Sequence, residues 1–103
     1  MIIYVSIEET ICRLPKNIHG VPEYSKANPI LNRIEQINQL FDQGHEIHYW
    51  TDRKIQNDVD LEYLTRQQLI NWNCKFTSIK TDKPKYDWII DEKAFNACAF
   101  FNS

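Results

Sequence analysis

Ile2-Ile3-Tyr4-Val5-Ser6-Ile7-Glu8-Glu9-Thr10 decides the fold: a short apolar run passes without a break into a polar loop. The apolar residues Ile2–Val5, stopping at Ser6, read as a strand. Residues 11–28 follow with Pro15, Gly20 and Pro22 and no periodicity, which predicts a long irregular excursion of the length of a flap. Asn28-Pro29 then reads as an N-cap with proline at the first helical position, and Ile30, Ile34, Ile37, Leu40 and Phe41 keep helical spacing until Gly44. Residues 46–50, Glu-Ile-His-Tyr-Trp, form the next strand and stop at the polar cluster Thr51-Asp52-Arg53.

A second helix is expected from near Asp58 or Asp60, presenting Leu61, Leu64, Leu69 and Trp72, with Asn73 as its stop. Phe76 to Ile79 is a weaker third strand, Thr81-Asp82-Lys83-Pro84 a turn, and Asp87-Trp88-Ile89-Ile90-Asp91 a fourth strand; residues 93–101 read as a short final helix. Strands alternating with helices predict a parallel sheet with right-handed crossovers. The fold class is therefore α/β, a small Rossmann-like fold with a four-stranded parallel sheet of order 3-2-1-4 flanked by helices. Ile3, Val5, Ile34, Ile37, Phe41, Ile47, Tyr49, Leu64, Leu69, Ile89 and Ile90 are the expected core.

A chain of 103 residues has length for one core and no second folding unit, so residues 1–103 are expected to form a single domain. Its apolar and charged fractions, 43% and 25%, are those of an ordinary globular protein, not of a disordered one. A formal charge of −2 from interspersed signs gives no electrostatic reason to expect nucleic acid or an anionic membrane as a partner. Small or sugar-sized ligands are the default. Cys12, Cys74 and Cys98 are odd in number and contain no Cys-x-x-Cys pair, which signals neither a disulfide framework nor a zinc knuckle. The first apolar run is too short for a signal sequence and no stretch reaches transmembrane length, so a cytoplasmic location is expected.

In open parallel sheets, ligands bind at the carboxyl ends of the strands, where strand order reverses. Ser6 and Glu8 lie after the first strand, Thr51 after the second, Lys83 just before the fourth, and Asp91 and Glu92 at its end. A hydroxyl and an ammonium bind phosphate oxygens, and carboxylates hold Mg²⁺, so this set is what a phosphate-and-metal site requires. Each residue also has a plain reading: a polar strand end, a turn cap, a solvated lysine, a helix-start signal. Their shared edge favours the site. His19, His45 and His48 lack ligand spacing and read as surface or strand residues.

These segments resemble the haloacid dehalogenase superfamily over nearly the whole chain. The resemblance is strongest to short members associated with capsule or polysaccharide biosynthesis, through Tyr24-Ser25-Lys26-Ala27-Asn28-Pro29-Ile30, residues 44–53 and residues 83–96. It implies that Thr51 binds the phosphoryl oxygen, that Lys83 steadies the phosphorylated intermediate, and that Asp91 with Glu92 forms the acidic pair at a Mg²⁺ ion. In the first motif, Asp-x-Asp-x-Thr, Ser6 stands at the nucleophilic Asp and Glu8 at the acid/base Asp, while Thr10 is kept. An Asp nucleophile forms an acyl phosphate that water opens; serine forms a phosphoester that hydrolyses far more slowly.

The expectation is a domain with a degenerate phosphotransfer loop, inactive or very weak as a phosphatase, that keeps a pocket for a phosphorylated small molecule and a weakened Mg²⁺ site including Glu8. The alternatives are a working Mg²⁺-dependent phosphatase or phosphotransferase on a sugar phosphate, with Glu8 and Asp91 supporting Ser6, and an interaction module without a pocket. No large cap fits between the motifs. In such proteins that goes with an open site, a macromolecular substrate, or a homo-oligomer whose neighbour roofs the pocket.

Overall fold

A computed structural model describes residues 1–56 and 59–102. Its centre is a three-stranded parallel sheet in the order β1-β4-β7, formed by β1 (Ile2–Ser6), β4 (Glu46–Trp50) and β7 (Ser78–Lys80). The parallel register pairs Ile3 with Ile47, Val5 with Tyr49 and Ser6 with Trp50. Because side chains alternate along a strand, Ile3, Val5, Ile47 and Tyr49 share one face, and Tyr4, His48 and Trp50 share the other. The first face is the core. There Val5, Ile47 and Tyr49 are buried with Ile7, Ile11, Cys12, Ile34, Ile37, Leu69 and Phe101. The second face is half-open, with Tyr4 packing on His48 at 5.2 Å and edge-on to Trp50 at 5.6 Å.

Helix α1 (Leu31–Asp42) buries Ile34 and Ile37 on its apolar stripe, as the spacing predicts, and packs against β4. Gly44 follows with φ +95°, a left-handed turn that glycine takes without steric cost. The start of α1 differs from the expectation. Asn28-Pro29 is not the cap: it forms a short strand, β3 (Asn28–Pro29), antiparallel to β2 (Cys12–Arg13), and Ile30 occupies the N-cap. The ladder drew these residues because Ile30 N–H donates to the Ile11 carbonyl at 2.8 Å, which folds the excursion back on its own beginning.

β5 (Ile55–Gln56) and β6 (Val59–Asp60) pair antiparallel before α2 (Glu62–Asn71). Of the two expected starts of this helix, Asp58 lies outside the described residues. Leu61 occupies the N-cap, and Asp60, one residue before it, accepts from Glu62 N–H at 2.8 Å through its carboxylate. Asn73, with φ 59°, ends it as expected. The third strand is displaced slightly, to Ser78–Lys80, and the final helix shortens to α3 (Ala97–Phe101), capped by Asn96.

The largest departure concerns residues 87–91. They form no strand, and the outer edge of β1 has no partner among the described residues. The expected order 3-2-1-4 is thus represented by its first three members. Ile89 and Ile90, expected in the core, are 50% and 91% exposed. Strand propensity describes how a residue fits a half-buried pleated surface, and without a paired neighbour the apolar run has no surface to fit.

Candidate functional site

Ser6 is the last residue of β1, and the chain turns immediately after it. Ile7 and Ile11 are fully buried and pin the loop, aided by Ile11 N–H donating to the Ile7 carbonyl at 2.9 Å. Glu9 takes the strain of the bend at φ 59°. Its carboxylate accepts from Leu14 N–H at 2.9 Å, which, with Arg13 beside it, holds the Glu9 carboxyl below its ordinary pKa. Glu8, between the two buried isoleucines, is swung inward.

Thr51 stands one residue beyond β4, and its backbone splices the second and third motif segments. Thr51 N–H donates to the Lys80 carbonyl at 2.9 Å, and Lys83 N–H donates to the Thr51 carbonyl at 3.2 Å. This brings residue 83 to the end of β1, where the Lys83 ammonium donates to Ser6 Oγ at 2.5 Å. The ammonium also lies 5.4 Å from the ring centroids of both Trp50 and Tyr86, a cation–π slot that positions it without a carboxylate. Trp50 is itself held, its indole N–H donating to Asp82 at 3.0 Å. Among the described residues Lys83 has no acidic partner.

Ser6, Glu8, Thr51 and Lys83 therefore come together, in three hydrogen-bonded steps. The Thr51 hydroxyl donates to Glu8 Oε1 at 2.7 Å and accepts from Arg53 N–H at 3.1 Å. A hydroxyl carries one hydrogen, so Thr51 reaches a phosphoryl oxygen only by turning from Glu8. Asp91 and Glu92 are exposed. Asp91 accepts from Lys93 N–H at 2.7 Å in a local turn, and no hydrogen bond or ion pair joins either residue to the other four among the described residues.

Arg53 is the residue whose role the sequence reading missed. Its side chain is fully buried, with Nε donating to Glu8 Oε1 at 3.1 Å and Nη1 to Gln68 at 2.6 Å and Thr65 at 3.3 Å. Its guanidinium stacks 5.0 Å from the ring of Tyr24, and Gln68 also donates to the Tyr24 carbonyl at 2.6 Å. Burial pushes the Tyr24 phenol up from its ordinary pKa, so the ring remains neutral beneath the cation. Arg53 thus ties the first loop to α2 and to the excursion. A cleft of about 210 Å³ opens beside it, lined by Arg53, Lys54, Ile55, Asp60, Glu62 and Thr81.

Mg²⁺ demands oxygen ligands at about 2.0–2.1 Å with near-ideal octahedral geometry. Glu8, the carboxylate two residues after Ser6, is already ion-paired and hydrogen-bonded, and no group of three or more Asp, Glu, His or Cys side chains gathers among the described residues. The residues in this arrangement do not fit a Mg²⁺ site.

No family model matches the chain, and no curated protein matches it. Among solved structures, the fold is similar to the crystal structure of an MCSG target from Vibrio cholerae, with TM-score 0.77 and 17% identity, over 99% of this chain and 88% of that one. At that identity the likeness concerns the fold alone, an α/β domain with helices packed on a parallel sheet.

Proposed function

We propose that this chain is a haloacid dehalogenase-like domain that has lost phosphatase turnover and uses its pocket to bind a phosphate-bearing small molecule. The observation that carries this reading is the Lys83 ammonium, which rests on Ser6 at the carboxyl end of β1 without an acidic partner among the described residues. An ammonium has three hydrogens, and the one given to Ser6 leaves two for an incoming oxyanion. Ser6 Oγ keeps its own hydrogen for the same anion. Thr51 supplies a further donor once its hydroxyl turns from Glu8.

Turnover asks for more. The nucleophile must form an intermediate that water opens quickly, and Ser6 carries no carboxylate with which to make an acyl phosphate. A serine nucleophile would need a base, and Glu8 already accepts from Thr51 and Arg53. The test assays the unmodified chain and Ser6→Ala with a generic phosphomonoester, with Mg²⁺ and without it. Neither should give turnover above background. Robust turnover by the unmodified chain that disappears in Ser6→Ala would establish a serine mechanism and overturn the proposal.

A further inference from the structure

We infer that the pocket takes its oxyanion without a divalent cation, because Arg53 stands permanently against Glu8 as the counter-charge a metal would otherwise supply. The inference rests on the phosphate-pocket reading and specifies its cofactor requirement. Its basis is the disagreement between the donor set and a metal centre. Mg²⁺ on Glu8 Oε1 would approach within about 2 Å an oxygen that already accepts from the Thr51 hydroxyl at 2.7 Å and from Arg53 Nε at 3.1 Å on a fully buried guanidinium. Two cations on one oxygen repel, and a buried arginine does not lose its proton.

Nor can Arg53 step aside easily. Its Nη1 is fixed by Gln68 and Thr65 from α2, and Tyr24 from the excursion covers its face. Glu8, Arg53 and Lys83 together carry one net positive charge, located on Lys83, the member of the three without an ionic partner among the described residues. That is enough to attract a dianion with no metal present, and Ser6 and Thr51 supply neutral donors.

The experiment is a calorimetric titration of the full chain with inorganic phosphate, once in EDTA and once in millimolar Mg²⁺. The expected coupling is less than about twofold, against the roughly 5- to 150-fold typical of linked sites. Glu8→Gln decides the sign independently and keeps an acceptor for Thr51 and Arg53, so that it costs less stability than truncation. If Glu8 is merely a neutralised neighbour, removing its negative charge tightens phosphate binding about fivefold, the order contributed by a like charge near 4 Å in water. Were Glu8 a metal ligand, the same change would weaken binding.

Phosphate bound only in Mg²⁺, or weakened by Glu8→Gln, overturns the inference and leaves the phosphate pocket standing. Absence of binding in both buffers overturns the pocket and the inference together.

Discussion

Truncating Glu8 to alanine should destabilise the whole domain, although Glu8 sits in a loop. Arg53 is fully buried and would lose its anionic partner, and the Thr51 hydroxyl would lose its acceptor. Removing one member of a buried pair costs about 3–5 kcal/mol, and a hydrogen bond to a charged group contributes about 1.5–3. Two features lower the figure. Glu8 is 19% exposed, so water can enter the vacated space, and Arg53 retains Gln68, Thr65 and the Tyr24 ring. A loss of about 2–4 kcal/mol follows.

Against a domain stability of about 5–15 kcal/mol this is a large fraction, and with a urea m-value of about 1–3 kcal/mol per molar it moves the midpoint down by about 0.7–4 M. Equilibrium urea unfolding, followed by circular dichroism, measures it. Lys75→Ala is the control: its pair with Asp42 is about half exposed on both sides and should shift stability by less than about 1 kcal/mol. A Glu8→Ala loss no larger than that of Lys75→Ala would refute the idea that Glu8 and Arg53 form a buried structural pair.

Ile37→Ala should cost about 2–5 kcal/mol in the same assay, since Ile37 is 2% exposed, whereas Ile90→Ala, at 91% exposure, should change stability by less than about 0.5 kcal/mol. A native thiol-exchange assay near neutral pH should find Cys98 reactive and Cys12 and Cys74 protected, because burial pushes the last two up to about 11 and about 12. For Cys12 the folded pKa lies above the ordinary 9.0, so its share of stability is complete below pH 9.0 and is lost as pH rises through about 11; urea midpoints measured across that window should fall. Lys83→Ala should abolish phosphate binding yet leave the unfolding free energy from urea titration within about 1 kcal/mol of the parent, as expected for a half-buried side chain that lacks an ionic partner among the described residues.

The elements legible in the sequence are those whose stability is local or rests on a repeated apolar pattern. β1, α1 and β4 needed little beyond Ile3, Val5, Ile34, Ile37, Ile47 and Tyr49 at the right spacing. The cap at Asn28 and the strand at 87–91 failed for one shared reason: each depended on which neighbour the backbone would meet. Asn28-Pro29 met β2, and Trp88-Ile89-Ile90 met no strand among the described residues. In the site, Ser6, Glu8, Thr51 and Lys83 were legible because parallel-strand topology sends strand ends to one edge. Arg53 was not, since its partners Glu8, Tyr24, Thr65 and Gln68 come from three separate stretches of chain. Hydropathy assigns such an arginine to solvent, and only the assembled contacts put it inside.

The slot that holds Lys83 also gives the pocket an optical voice. Trp50 shares its ring face with the ammonium and its N–H with Asp82, so an anion that draws Lys83 away changes the electric field across that indole. Trp88, 85% exposed, contributes the constant red-shifted emission of a tryptophan in water, and Trp72 lies against the core. Anion binding at Lys83 should therefore be readable from intrinsic fluorescence, and Trp50→Phe, which keeps an aromatic face for Lys83, should silence the signal while binding continues.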